Sequence, residues 1–305
     1  MSGLAPGAGP ATPAAASTSA PIPGGGSGTA PAGRPRIRRR LGPSILVPAV
    51  ILAALVAAAA IPGVLAPYGP LAMEPAVAFT PPGPGHWFGT DESGRDVYSR
   101  VIHGARSSLL IGVLATAIGL GVATLLGALA GLGTRRLDFG VSRFLEVLFA
   151  FPGLLLALLV ITILGPGVVT TTVAVGLSTA PGYARMIRSQ VLSVRRSGYV
   201  EASVVQGRSR WFIIRHHILP NVAAPLLVLA TLGIGQAIVW ASSLSFLGLG
   251  ATPPDPEWGS MLSNGRLYIG NAWWLTVFPG LFIVLSAATT TLLGHGVQRH
   301  LKENP

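Results

Sequence analysis

LLIGVLATAIGLGVATLLGALAGL, residues 109 to 132, runs for 24 residues without a charge. As a helix it would reach about 36 Å, enough to cross a hydrocarbon core of about 30 Å. It is apolar on every face, so water is a poor solvent for it and the interior of a bilayer a good one. Five further segments approach that length: Ile45 to Ile61, Phe144 to Leu164, Val168 to Ala184, Val222 to Leu247 and Leu275 to Leu293. The expected fold is an all-α integral membrane protein with six transmembrane helices.

Composition agrees. Of 305 residues half are apolar and 10% are charged, where soluble domains carry about 25% charge. A net charge of +11 would also suit a nucleic-acid binder. However, the only lysine is Lys302, and the arginines fall in short segments between apolar runs instead of along one helix face. The chain has no cysteine, which excludes disulfides, thiol catalysis and zinc–thiolate sites.

The arginines report topology, because cytoplasmic loops hold an excess of positive charge. They cluster in alternate connections: Arg34, Arg36, Arg38, Arg39 and Arg40; then Arg135, Arg136 and Arg143; then Arg185, Arg188, Arg195, Arg196, Arg208, Arg210 and Arg215; and finally Arg299 with Lys302. The opposite side keeps Arg95, Arg100, Arg106 and Arg266 beside six carboxylates, Glu74, Asp91, Glu92, Asp96, Asp255 and Glu257. Both termini are expected in the cytoplasm.

The chain divides accordingly into a disordered tail over 1–40, a first membrane anchor over 41–66, an external loop over 67–106, a core of five helices over 107–296 and a tail over 297–305. The first 33 residues are Ala, Pro, Gly, Ser and Thr without apolar surface to offset ordering, and they lack the pattern of a cleaved signal peptide. The fourth segment is expected to be interrupted by Pro181 and Gly182 and to lie within the bundle. Trp273 and Trp274 fit the interfacial aromatic belt. Gly127 and Gly131 form a G-x-x-x-G that permits close helix packing. Gly233, Gly235 and above all Gln236 are candidates for a translocation lining, since an amide at membrane depth needs a wet or bonded surrounding. Glu146 is placed at the hydrated start of the third helix, favoured there by the helix dipole.

The longest cytoplasmic connection, over 186–221, is too patterned for a simple turn. Glu201-Ala202-Ser203-Val204-Val205-Gln206-Gly207 reads as a short helix ended by a glycine able to adopt left-handed dihedrals. Arg208 to His217 then resumes, and Ile218-Leu219-Pro220 leads back into the membrane, proline being tolerated in a first turn. His216 and His217 are adjacent and lack the helical spacing of a paired metal site.

These residues resemble the Glu-Ala-Ala loop of binding-protein-dependent ABC transporter permeases, on the match of Glu201, Ala202, Gly207 and Ile218-Leu219-Pro220-Asn221. Phe88 to Asp96 (FGTDESGRD), Ser245 to Gly250 (SFLGLG) continuing through Pro253-Pro254 to Trp258-Gly259, Phe151-Pro152 and Pro181 to Arg185 (PGYAR) are similar to that family's dipeptide, oligopeptide and nickel branch. The likeness runs from about His86 to Gly296. Ser203 stands where a second alanine is usual, Gln206 where an apolar residue is common and His295 where an Asp is usual. The resemblance implies a type I importer permease with no cofactor. Its Glu201, Ala202, Ser203 and Gly207 would engage a groove on a cytoplasmic ATPase. The implied partners are a second related permease, two ABC ATPase subunits and an extracytoplasmic solute-binding protein that sets the cargo.

The residues also bound what the chain does itself. G-x-x-x-x-G-K-[ST] needs a lysine in a glycine loop, and Lys302 sits in HLKEN, so no P-loop is present. An ion-coupled secondary transporter would need midplane ionisable groups, which the six apolar segments lack. An intramembrane serine protease would have to pair Ser178 of Gly176-Leu177-Ser178 with His295, and the two fall at different depths. The Thr90 to Asp96 carboxylates with Arg95 are read as an anchor for the second helix, and Ala251 to Gly265 as an ordered external turn.

Overall fold

The computed structural model describes residues 43–303, so the tail expected over 1–40 and its five arginines lie outside the described residues. Those described are mostly helical, with two isolated bridges, Gly83 with His86 and Thr90 with Asp96, and no strand. α1 (Pro43–Ala60) is followed by a single turn, α2 (Pro62–Leu65), and by an irregular stretch holding a 3-10 turn at Pro75–Val77. Then come α3 (Val97–Leu132), α4 (Arg135–Phe149), α5 (Gly153–Leu164), α6 (Val168–Arg195) and α7 (Gly198–Val205). α8 (Arg210–Ile213) passes through a π turn at Ile214–Ile218 into α9 (Leu219–Phe246), and α10 (Trp258–Gly265) precedes α11 (Trp274–Glu303).

Three helical stretches are long and apolar enough to cross a bilayer unaided: Val97–Leu132, Arg210–Phe246 and Trp274–Arg299. α1 is apolar but shorter, and α6 carries Arg185, Arg188 and Arg195 in its second half. The third segment departs from expectation. Phe144 to Leu164 is not one helix but the end of α4 and all of α5, bent by 92°. Pro152 cannot donate a backbone bond and pushes Phe151 toward extended dihedrals, so the helix stops there. With the bent pair taken as one span, length and composition support four of the six crossings.

Other boundaries also move. α6 runs unbroken through Pro181 and Gly182 for 28 residues, as a proline allows when packed neighbours take up the freed backbone group. Glu146 lies near the end of α4, not at a helix start, and pairs with Arg143 at 2.6 Å on the exposed side. The turn expected over Ala251 to Gly265 becomes helix from Trp258 onward. Trp273 is exposed as a belt residue should be, but Trp274 is buried, its Nε1–H donating to the Thr90 carbonyl at 3.0 Å.

α3 and α6 form the tightest pair in the bundle. A Cβ on Gly119 would sit 2.8 Å from the Gly176 carbonyl, and one on Gly176 2.8 Å from that of Ala115. Gly127 and Gly131 meet Ile187 and Val191 in the same way. Small residues thus let the two backbones approach, as the G-x-x-x-G spacing suggested.

At one end the core gathers Leu55, Val101, Trp258 and Leu275; at the other, Leu145, Ile187, Val200, Ile213 and Val222. The first end is fastened by polar groups. Asp96 caps α3 by accepting from the Ser99 amide at 2.8 Å, and Asp91 takes the Arg95 guanidinium at 2.7 Å, so the 90–96 segment does anchor this helix. Glu257 caps α10 with both carboxylate oxygens, on the amides of Gly259 and Ser260, and receives the Ser108 hydroxyl of α3 at 3.3 Å.

Candidate coupling surface and translocation cavity

α7 is a short helix fixed at both edges. Glu201 lies in its first turn, where a carboxylate favours the helix dipole. Gly207 closes it at φ +73°, with its amide on the Val204 carbonyl at 3.0 Å and the Arg208 amide on that of Ser203 at 3.1 Å. That pair of bonds is the glycine-dependent Schellman cap, and a side chain at Gly207 would strain it.

Val200 and Ser203, one turn apart, are the buried face, and Val200 packs in the core cluster of Val191, Ile213 and Val222. Glu201, Ala202 and Val204 face outward with Val205, which is 88% exposed. Of the four residues expected at the partner surface, Glu201 and Ala202 therefore point away from the bundle and Gly207 shapes the end. Ser203 points inward.

What Ser203 meets was not legible beforehand. Its hydroxyl has one hydrogen, donated to the Tyr199 carbonyl at 2.9 Å, so it accepts from His217 Nε2 at 3.0 Å. His217 belongs to the π turn that leads into α9, and His216 beside it stacks on Phe212 with centroids 4.2 Å apart. The expected return at Ile218-Leu219-Pro220 is not a fresh start, because helix continues from Arg210 to Phe246. Ile218 is buried in that stretch and Leu219 is exposed.

Where the α4–α5 elbow meets α6 and α9 there is a cavity of about 570 Å³. Gln236 lines it, and its Oε1 accepts the Tyr183 hydroxyl at 3.3 Å across the α6–α9 gap. Tyr183, Trp240 and Arg185 also line it and were not singled out for this place. Gly233 and Gly235 do not: they pack on Thr116 and Tyr183, and on Thr290 and Ala287. Ser178 donates to its own helix at the Val175 carbonyl, and among the described residues no hydrogen bond joins it to His295.

Residues 123–303 match the family of binding-protein-dependent transport system inner membrane components. The chain belongs to that family. It is 44% identical, over 70% of each chain, to a dipeptide transport system permease of Alkalihalophilus pseudofirmus. It is 41% identical to a probable D,D-dipeptide transport system permease of Escherichia coli K12, over 77% of this chain and 78% of that one. A glutathione transport system permease of Pectobacterium atrosepticum is also 41% identical, over 71% and 72%. In fold, the permease superposes on a chain of the inward-facing methionine ABC transporter MetNI with a TM-score of 0.55 at 20% identity, covering 66% of this chain and 95% of that one. It is thus a multi-pass inner-membrane permease subunit of an ABC importer.

Proposed function

We propose that this permease is one half of the membrane channel of an ATP-driven importer of short peptides. In this reading a second related permease completes the channel, two cytoplasmic ATPase subunits drive it and an extracytoplasmic binding protein delivers the cargo. The membrane is crossed six times with both termini in the cytoplasm, the bent α4–α5 pair counting once. α7 then lies in the cytosol and seats Glu201 and Ala202 against an ATPase, whose closure moves the bundle between outward-open and inward-open states.

The observation that carries this is the form of α7. It is capped at a left-handed glycine, rooted through Val200 and Ser203, and bares Val204 and Val205, large apolar side chains that a helix with no partner would hide. The peptide cargo follows the dipeptide, D,D-dipeptide and glutathione systems to which the chain is similar.

The test uses the assembled importer in proteoliposomes, with ATP hydrolysis and uptake of labelled alanyl-alanine measured together. Glu201→Ala and Gly207→Val are expected to leave the chain in the membrane and to keep hydrolysis while uptake falls about tenfold or more. Uptake unchanged in both variants would defeat the reading.

A further inference from the structure

The cavity beside Gln236 has a chemical bias that the coupling surface does not explain. Its lining has no carboxylate and no histidine, and its one charge is Arg185. The Arg185 guanidinium lies 4.3 Å from the centre of the Phe149 ring, which supports one face of the fork and leaves the N–H edge free. Arg188, one turn along α6, is held by both oxygens of Asp138 at 2.6 and 2.7 Å. Arg185 has no such partner among the described residues.

The neutral groups extend the bias. Gln236 Oε1 accepts from Tyr183 and keeps a second lone pair, while its amide nitrogen keeps two hydrogens to give. Ser178 and Thr179 donate theirs to the carbonyls of Val175 and Gly176, so toward the cavity they can only accept. A cargo therefore meets a charged donor at Arg185, a neutral donor at the Gln236 amide, neutral acceptors at the hydroxyls and Gln236 Oε1, and apolar walls elsewhere. A bare cation would find no anionic ligand here.

We infer that this wall grips its cargo by the negative end: Arg185 takes the carboxylate of a small peptide as a forked pair, and the Gln236 amide takes a backbone carbonyl. This rests on the reading of the cavity as part of the peptide path, and it adds where along that path the chain itself discriminates. Arg185 and Gln236 are exposed in the single chain, where an ion pair contributes modestly; what favours a carboxylate here is the forked, two-bond geometry of a guanidinium braced by the Phe149 ring.

The chain has no cysteine, so Met186→Cys, at an exposed lining position, is a single reporter that leaves Arg185 and Gln236 in place. The assembled importer is held in lipid nanodiscs without its binding protein, so that delivery plays no part. A sulfonated maleimide then labels the introduced thiol in the presence of alanyl-alanine, its C-terminal amide or its N-acetyl form. The free acid and the N-acetyl form are expected to slow labelling at similar concentrations, and the amide to need about twofold to fivefold more, the scale of an exposed ion pair. Arg185→Gln should bring acid and amide together, while Arg185→Lys keeps part of the difference.

Equal protection by acid and amide, protection by none of the three, or a preference that survives Arg185→Gln overturns the inference and leaves the path reading standing. It would mean that Arg185 only marks the cytoplasmic end of its helix. A maleimide that never reaches the thiol of Met186→Cys overturns the aqueous path as well.

Discussion

Replacing Gly127 by alanine isolates the closeness of α3 and α6. The new methyl would stand 2.8 Å from the Ala184 carbonyl oxygen and 2.9 Å from Cβ and Cγ2 of Ile187. Each contact is about half an ångström or more inside van der Waals distance, and the Ala184 oxygen is main chain, so the helices must part. Overpacking of this kind costs about 1–3 kcal/mol. Against it stands the gain of up to about 1 kcal/mol that alanine brings to a helix interior. Gly121 supplies the control, because on the same helix it has nothing within 4 Å of a Cβ. The propensity gain cancels between Gly127→Ala and Gly121→Ala, leaving the clash alone. At about 2–4 °C per kcal/mol for a chain of this size, Gly127→Ala should melt about 2–12 °C below Gly121→Ala. The assay is thermal unfolding of the purified permease in one detergent. Equal melting temperatures would show that the α3–α6 seam is looser than described.

Glu257→Ala strips both capping oxygens from the Gly259 and Ser260 amides in a buried site and should cost about 1–3 kcal/mol; Glu257→Gln, which keeps one acceptor, should cost less. Burial, the larger influence, holds the Glu257 carboxyl above its ordinary value of 4.5 against the three bonds from Gly259, Ser260 and Ser108 that stabilise the anion. The folded chain therefore keeps this proton longer than the unfolded one. Stability from this group is complete below 4.5 and lost as pH climbs through the raised value, so Glu257→Gln should gain on the parent across that window in melting scans. Trp258→Phe removes the N–H that donates to the Val101 carbonyl at 2.9 Å in a fully buried place, and should lower stability by about 1–3 kcal/mol. Asp138→Asn unties the bidentate Arg188 at the partly exposed α4–α6 contact. It should cost at most about 1 kcal/mol and less in high salt, which a titration of melting temperature against sodium chloride would show.

Uniform apolarity needs no partner to be read, so the long helices over 109–132, 222–247 and 275–293 were visible in the sequence. The α7 helix and its glycine stop were visible because capping is local. Features that depend on what lies across the bundle were hidden. Pro181 and Pro152 look alike in sequence, yet one sits inside a continuous helix and the other at a 92° bend. Both line the cavity, but Pro181 is buried in a helix packed along α3, whereas Pro152 is exposed at the elbow. Gln236 could be singled out because an amide is rare in an apolar run. Tyr183 and Arg185 could not, since a tyrosine and an arginine near a helix end usually mark only an interface. The buried Glu257 was placed at the external face on charge counting, and its amide and hydroxyl partners explain why it can be buried.

The departure at Ser203 bears on how a push at α7 would travel. Alanine there would fill the same space without a polar tie. Serine adds one, because its hydrogen is committed to Tyr199 and its lone pair holds His217. His217 sits in the π turn, where one extra residue per turn loosens the helix and makes a place to flex. Beyond it α9 runs to Gln236, 18 residues past Ile218, or about 27 Å along the axis. In the proposed mechanism, closure of the ATPase would displace α7, the Ser203–His217 contact and the shared Val200 packing would carry that displacement to the foot of α9, and the helix would deliver it to the cavity wall. A flexible loop between α7 and α9 would dissipate the same displacement. In that mechanism the helical ends and the π turn between them would let a small helix on the surface act on the exposed Gln236 at the cavity wall.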